Sequence, residues 1–304
     1  MNINSRKSKW KSTDVDEFFD VYFYRPIGHQ VAFFLRKMDA SCHSTNMVAL
    51  FIGVYGCLCF RYIDLKSNIG GIFLVVLSLI LRSGNRQYTK ETNQKTYMGY
   101  VVEGLSISVL FIAVYIVLTF RLWSEWSFWA LPLVAAGAYM HIKQAAVENY
   151  FRAMHLHFLN NEPESDFEDA TELAAEYATE YAQVSWNKQV LPKIFDYTHY
   201  LFRRDQEKNT PQMQKMRNII QTKYNGQAPP KFREDYLAQS LRLIPWANAL
   251  SFNVHFVVLF ISALVFPAAY LIVELTLLNI ILLYLWLKSE KMCNQFAAQL
   301  ESGT

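Results

Sequence analysis

The sequence predicts an all-α polytopic membrane protein with six transmembrane helices, an N-terminal interfacial amphipathic helix and a helical cytoplasmic insertion. Three observations predict this class. The 304 residues are 52% hydrophobic and only 18% charged, whereas soluble domains have about 25% charged residues. The apolar residues are concentrated in long runs rather than spread with a helical or strand period. Nearly all basic residues lie in the segments on one side of these runs.

The first 45 residues combine a basic tail with an amphipathic segment. Residues 1–13 are polar and basic, and we expect them to be disordered. Residues 14–38 mix polar and aromatic side chains, and Pro26 and Gly28 predict two short helices that meet at a bend. The apolar faces beside basic residues favour a position in the membrane interface. Packing on a soluble partner is the alternative.

Six apolar segments are predicted to span the membrane, because a spanning helix needs about 20 mostly apolar residues. They are residues 46–62, 69–81, 99–120, 123–140, 252–266 and 268–287. Of the 29 Lys and Arg residues, all but Arg61, Lys66 and Arg121 fall on one side of this arrangement. The positive-inside rule therefore places both termini, and the polar stretch that follows the second segment, in the cytoplasm.

Between the fourth and fifth segments lies a long cytoplasmic insertion with helical signals. Ser165 is predicted to cap a helix that has an acidic first turn and runs to about residue 196. A basic helix over residues 211–224 follows. The predicted regions are thus residues 1–45 (tail and interfacial helices), 46–142 (four spans), 143–245 (insertion) and 246–304 (two spans and a C-terminal tail).

Glu103 is the first residue that indicates a functional site. A polar, basic loop that begins at Arg82 runs into the apolar segment that contains this glutamate. An ionisable side chain at membrane depth is costly, which makes it a functional-site hypothesis; a structural ion pair is the alternative. Glu274 is also expected to face the interior of the bundle, and Asn279 to bond a neighbouring helix.

His155 and His157 are the histidines closest to each other in the sequence. On a helix, residues two apart point about 200° away from each other, so these two cannot share a metal ion there. We expect both to be solvated.

Six short phrases spread along the whole chain carry a family resemblance. They are Ser12-Thr13-Asp14, Tyr24-Arg25-Pro26-Ile27-Gly28, Ser44-Thr45-Asn46, Asn93-Gln94-Lys95-Thr96-Tyr97-Met98-Gly99, Glu103-Gly104 and Glu274-Leu275-Thr276-Leu277-Leu278-Asn279. They resemble the CDP-alcohol phosphatidyltransferase family of integral membrane enzymes, which make phospholipids. The resemblance is closest to bacterial members with an extended N-terminal interface helix. It implies six spans, a cytoplasmic site, a bacterial inner-membrane location and a tendency to form homodimers.

The family's site follows the pattern D-x-x-D-G-x-x-A-R, a spacer, then G-x-x-x-D-x-x-x-D. The resemblance implies two divalent ions that bind the CDP diphosphate between the four aspartates, with the last aspartate activating an alcohol. A gap-free alignment on residues 93–104 gives the four aspartate positions to Arg82, Asn85, Glu103 and Ile107. In the same alignment Arg86 falls on the family's first glycine, Thr89 on the alanine, Lys90 on the arginine and Gly99 on the second glycine. These four are the candidate ligand-binding positions.

These substitutions argue against two-metal catalysis. Two unit charges about 4 Å apart interact by about 4 kcal/mol at an effective dielectric of about 20, so Arg82 would repel a divalent ion by about 8 kcal/mol. Another register, with Ser83-Gly84 on the Asp-Gly pair, needs an insertion and restores no aspartate. We therefore assign no metal ligand. If an ion does bind, Glu103 and Asn85 are the expected ligands.

The resemblance and its departures predict a catalytically degenerate, CDP-alcohol phosphatidyltransferase-like pseudoenzyme that acts as a partner, regulator or ligand binder. Arg82 or Arg86 would pair with Glu103 in place of a metal, and no cofactor is expected. The alternative is an atypical active CDP-alcohol phosphotransferase, which would use Mg²⁺ or Mn²⁺ to move a phosphoalcohol from a CDP-activated donor to an alcohol. A lipid- or ion-conducting six-helix protein is a third interpretation, with few charged groups within the spans to support it.

The expected partners follow from the same considerations. They are membrane lipids and either a second copy of the chain or an active member of the family. The net charge of +3 gives no indication of nucleic-acid binding.

Overall fold

The structure is a computed structural model that describes residues 15–92, 97–160, 170–181 and 189–302. Every regular element in these ranges is helical, which confirms the all-α class. Four stretches are long and apolar enough to cross a membrane, as expected of an integral membrane protein. They are Cys42–Cys59, Leu65–Glu91, Val101–Leu159 and Ala268–Ser302, and a shorter apolar helix spans Phe252–Val265.

Thirteen α-helices follow one another along the described residues. They are α1 (Arg25–Lys37), α2 (Cys42–Cys59), α3 (Leu65–Glu91), α4 (Tyr97–Trp126), α5 (Ala130–Asn160), α6 (Ala170–Tyr181), α7 (Val190–Asn209), α8 (Pro211–Lys223), α9 (Pro230–Leu241), α10 (Ile244–Asn248), α11 (Phe252–Val265), α12 (Ala268–Leu275) and α13 (Leu277–Ser302). They divide into two compact units. The first unit is formed by Asp16–His141 and His255–Leu275, and the second contains Ile142–Val254 and Thr276–Thr304. The insertion thus groups with the last helix, a division that differs from the four predicted regions.

The N-terminal segment contains a π-helical turn in place of the predicted bend. The turn, Asp20–Tyr24, runs directly into α1, and the backbone N–H of Arg25 donates to the carbonyl of Asp20. Pro26 lacks an N–H and crowds the preceding turn, and a widened turn accommodates it without breaking the helix. The side chain of Arg25 donates to Asp16, and this bond raises the pKa of Arg25.

Helix α3 continues well past the predicted second span. The polar residues from Arg82 onward, predicted as a loop, are helical through Glu91. They remain helical because α1 lies against this part of α3: the hydroxyl of Ser83 donates to the Tyr24 carbonyl over 3.0 Å, and the amide of Gln87 donates to the Arg25 carbonyl over 3.0 Å. The predicted polar loop is therefore helix, at least to Glu91.

Two glycines allow α1 and α3 to approach closely. A Cβ atom on Gly84 would come within 2.5 Å of the Val31 side chain, and one on Gly28 within 2.7 Å of the Ser83 hydroxyl. A side chain at either position would force the facing atoms to move. The amphipathic segment is therefore packed on α3 within the first unit.

Helices α4 and α5 pair as an antiparallel hairpin. The hydroxyl of Tyr115 lies 3.4 Å from the Gly137 carbonyl, and the rings of Phe111 and His141 are 4.1 Å apart. Both pairs are centred on residue 126, beside a 3-10 turn in which Ser127 has a positive φ of 45°. The apolar stretch Val101–Leu159 therefore consists of two helices, and the part of α5 up to His141 runs antiparallel to α4.

The second unit is built around α13, which packs along α8. The carboxylate of Glu290 accepts the backbone N–H of Gln212 over 2.9 Å at the first turn of α8, and Lys223 at its end donates to the Leu300 carbonyl over 2.7 Å. The residues of the predicted C-terminal tail continue α13 as helix to Ser302. The predicted last span is also interrupted at Thr276, between α12 and α13.

The described part of residues 143–245 consists mostly of helices, whose boundaries differ from those predicted. Helix α8 confirms the predicted basic helix. The predicted helix to residue 196 is wrong, because Gln189 has a positive φ of 56° and α7 begins after it. Three predictions lie outside the described residues: the cap at Ser165, the disorder expected of residues 1–13, and the motif residues 93–96.

Candidate functional site

Two arginines of α3 meet the glutamate that the sequence singled out. Arg82 and Arg86 are four residues apart, so they occupy one face of α3. The Arg86 Nε donates to the Glu103 Oε1 over 2.6 Å, and the Arg82 Nη2 donates to the Glu103 backbone carbonyl over 2.9 Å. The structure therefore contains the arginine–glutamate pair that was predicted to replace a metal ion.

The two arginines differ in their access to solvent. Arg82 is buried, and its Nη1 has no hydrogen-bond partner among the described residues. The Arg86 side chain is 61% exposed and that of Glu103 is 30% exposed. Two guanidinium groups and one carboxylate leave this cluster, the arginine cluster, with an excess positive charge, and a buried donor is available to an anion.

Asn85 lies on the side of α3 that faces α2 and connects the two helices. Its side-chain amide donates to the Cys42 carbonyl over 3.0 Å and to the Asn46 side chain over 2.8 Å. These bonds tie α3 to the first turns of α2. Asn85 and Glu103, the two residues named to hold a metal ion, are thus bonded to other partners.

The remaining motif positions lie at the facing ends of α3 and α4. Thr89 and Lys90 are half-buried in the last turns of α3, and Gly99 is half-buried in the first turn of α4. Ile107 follows Glu103 by one helical turn and is also half-buried. Their roles as ligand-binding positions stay predictions.

A second cluster of chemically active side chains lies elsewhere in the first unit. His141 of α5, His255 of α11 and Glu274 of α12 are all buried, and one ligand atom from each lies within 4.8 Å of the others. The His255 Nδ1 is 2.9 Å from the Glu274 Oε2, and the His141 Nδ1 is 3.8 Å from the Glu274 Oε1. We call these three residues the histidine cluster.

Aromatic rings enclose the histidine cluster. The Phe111 ring is 4.1 Å from the His141 ring and 6.0 Å from the His255 ring, and it stacks on Phe256 at 4.6 Å. The imidazoles themselves are 4.0 Å apart. Apolar walls strengthen electrostatic interactions inside such a site, because water cannot screen them.

The sequence interpretation identified only one member of this cluster. Glu274 was expected to face the interior, and it is fully buried as predicted. His141 and His255 were missed, although each is a histidine inside a long apolar run, and that pattern is the signal that could have found them. Asn279 accepts a hydrogen bond from Gln144 of α5 over 2.8 Å, which confirms its predicted helix–helix bond.

The prediction that His155 is solvated is wrong. The side chain is buried in the second unit, where its Nδ1 lies 2.8 Å from the Ser240 hydroxyl. His157, two residues on, is half-buried. A polar partner from a sequence-distant helix stabilises the buried ring, and the local sequence does not show that partner.

Comparisons of this chain with models of known protein families, with curated proteins and with solved structures find no match.

Proposed function

We propose that this chain is a catalytically degenerate relative of the CDP-alcohol phosphatidyltransferases that binds a phosphate-bearing anionic ligand through its arginine cluster. The observation that carries the proposal is the pair between Arg86 and Glu103, with Arg82 beside it. A guanidinium occupies the carboxylate that the resemblance would give to a metal ion. The same exchange turns a cation-binding site into an anion-binding one.

The chemistry of the cluster favours phosphate among anions. A guanidinium presents planar N–H donors that match two phosphate oxygens, and charge-assisted bonds of this kind are among the stronger hydrogen bonds in proteins. Arg82 offers a buried donor atom without a partner, and Arg86 is exposed enough to be reached. The shared ligand chemistry is a phosphate monoester or diester, from a lipid headgroup or a free nucleotide.

The proposed membrane arrangement has six spans, both termini in the cytoplasm and a location in the bacterial inner membrane. The antiparallel pairing of α4 and α5 supports two crossings within Val101–Leu159, because a single helix of 59 residues would be about 90 Å long. The basic residues at the ends of α1 and α3 support the orientation. The proposed partners are membrane lipids, a second copy of the chain or an active family member.

A binding experiment in nanodiscs tests the proposed ligand. The full chain is titrated with CDP, and separately reconstituted with phosphatidic acid, CDP-diacylglycerol or phosphatidylcholine alone. We expect Arg86→Gln to weaken binding of the preferred phosphate ligand by about 10- to 100-fold, because a charge-assisted bond is worth about 1.5–3 kcal/mol. Arg61→Gln, which removes an exposed arginine that lies outside the cluster, is the matched control. Equal binding by wild type and Arg86→Gln would contradict the proposal.

A transfer assay separates the degenerate protein from an active one. CDP-activated lipid and candidate alcohols are incubated with the chain in the presence of Mg²⁺ or Mn²⁺. We expect no phosphoalcohol transfer and no dependence of ligand binding on either ion. Transfer that Glu103→Ala abolishes would establish the atypical enzyme instead.

Copurification tests the proposed partners. The chain is expressed with a family member whose four aspartates are intact, and both are extracted in mild detergent. We expect either a stable complex of the two or a homodimer by size-exclusion chromatography with light scattering. A strictly monomeric chain in both preparations would rule out a partner role of this kind.

A further inference from the structure

We propose that His141, His255 and Glu274 form a binding site for one divalent transition-metal ion of the zinc class. The site belongs to the first unit, where α5, α11 and α12 each contribute one ligand. It is distinct from the arginine cluster, and it needs no phosphate ligand. Its existence is therefore independent of the function proposed above.

The distances within the histidine cluster suit a single ion. Two ligands bonded to one metal at about 2.1 Å are at most about 4.2 Å apart. The two imidazole-to-carboxylate distances, 2.9 and 3.8 Å, already lie within this limit, and the widest separation of ligand atoms in the cluster is at most 4.8 Å. Tetrahedral coordination places ligand atoms about 3.4 Å apart, so the widest separation would have to close by up to about 1.4 Å, which side-chain rotation can supply.

Burial of a polar ring nitrogen favours the binding of an ion. The Nδ1 of His141 is buried, faces the Glu274 Oε1 over 3.8 Å and has no hydrogen-bond partner among the described residues. Leaving a buried polar atom without a partner is unfavourable by about 1–3 kcal/mol. A metal ion accepts the lone pair of a neutral imidazole nitrogen, which satisfies such an atom directly.

Charge favours the same conclusion. Glu274 is fully buried, and a buried carboxylate is strongly disfavoured unless a positive charge compensates it. The two imidazoles lie beside this carboxylate, and a divalent ion bound by all three side chains would supply the compensating charge.

The ligand set selects the class of metal. Two imidazoles and one carboxylate are a donor set that suits zinc and neighbouring transition metals, whereas Mg²⁺ and Ca²⁺ prefer oxygen ligands alone. Three protein ligands also leave one tetrahedral position open, as in catalytic rather than structural zinc sites. The site is consequently suited to hold an ion that can take a fourth ligand, such as water.

Cobalt substitution tests this site with a spectroscopic readout. Tag-free full-length chain in detergent is stripped with a chelator and titrated with Co²⁺, whose visible absorption is intense in tetrahedral nitrogen and oxygen coordination. We expect one Co²⁺ per chain, displacement by Zn²⁺, and no displacement by Mg²⁺. His141→Gln and His255→Gln should each weaken Co²⁺ binding by at least about 10-fold, the loss typical of even an outer-shell change.

His155→Gln is the matched control, because His155 is another buried histidine of α5 that lies outside the histidine cluster. It is bonded to Ser240 in the second unit and should leave the Co²⁺ titration unchanged. A wild-type chain that retains no Co²⁺ and shows no visible band would overturn the proposal, whatever the variants do. Unchanged affinity in both cluster variants would overturn it as well.

Discussion

Each of the two clusters of the first unit contains a glutamate from an apolar segment of the chain, but the partners of the two glutamates differ. Glu103 has a permanently charged partner, Arg86, and both side chains are partly exposed. Glu274 is fully buried, and the groups beside it are imidazoles, whose charge depends on a bound proton. Water screens the first pair and is excluded from the second, so a broken contact has very different consequences in the two places.

Because of this difference, the two clusters suit ligands of opposite charge. The arginine cluster is accessible, has an excess of positive charge and suits an anion that arrives from solution or from a headgroup. The histidine cluster is enclosed by aromatic rings and contains an anion together with two nitrogen ligands, which suits a cation. The two proposed sites of this unit thus differ in the charge of the ligand that each would bind.

The largest effect should follow from removing one partner inside the buried cluster. His255→Leu removes the imidazole that bonds the buried Glu274 carboxylate, and we expect it to destabilise the chain by about 3–5 kcal/mol. Thermal unfolding of metal-free protein in detergent measures the loss. Ile261→Ala, an exposed position on the same helix, should change stability by no more than about 0.5 kcal/mol. Equal melting temperatures for the two variants would contradict the contrast between the clusters.

A smaller effect is expected where α1 crosses α3, beside the arginine cluster. Gly84→Leu would force a side chain into Val31, and overpacking of this kind destabilises by about 1–3 kcal/mol. It should weaken phosphate-ligand binding at Arg86 and leave the Co²⁺ spectrum of the histidine cluster unchanged.

The matched control is Gly70→Ala, also on α3. No atom would lie within 4 Å of the added Cβ, so this variant should be neutral or stabilising, by about 1 kcal/mol at most. If Gly84→Leu altered the Co²⁺ spectrum, the two clusters would not be separable in this way.

The smallest effect should come from the exposed ion pair itself. Arg86→Gln is expected to lower the free energy of unfolding by about 1 kcal/mol or less, because surface pairs are screened by solvent. The loss should shrink further as salt is added. A double-mutant cycle with Glu103→Gln, measured at low and high salt, isolates the coupling. A salt-independent coupling of several kcal/mol would show that this pair behaves like a buried one.

The sequence was sufficient to predict that the apolar segments are α-helices, but the residues at which the helices end were predicted less accurately. Long apolar runs predicted α2, the apolar part of α3, and the α4–α5 pair, since few other structures satisfy backbone hydrogen bonds in a membrane. The ends of α3 and α13 were missed, because the residues that prolong them are polar. Contacts with α1 and α8 stabilise these extensions, and such contacts depend on residues distant in sequence.

The two clusters show where the sequence suffices for a site and where it does not. Arg82, Arg86 and Glu103 lie within one short stretch of the chain, so pattern and charge were enough to predict that an α3 arginine would pair with the glutamate. His141, His255 and Glu274 come from three separate helices, and nothing in their local sequences links them.

By itself the sequence determined the class of the protein, its helical character and the basic nature of the α3 end, because hydrophobicity and charge are local properties of the chain. The tertiary structure decided which of the polar side chains meet. It turned Asn85 toward α2, selected Arg86 rather than Arg82 for the Glu103 carboxylate, and brought two histidines to Glu274. The physical reason is packing: helices that bury their apolar faces bring together the few polar groups on those faces, wherever these groups lie in the sequence.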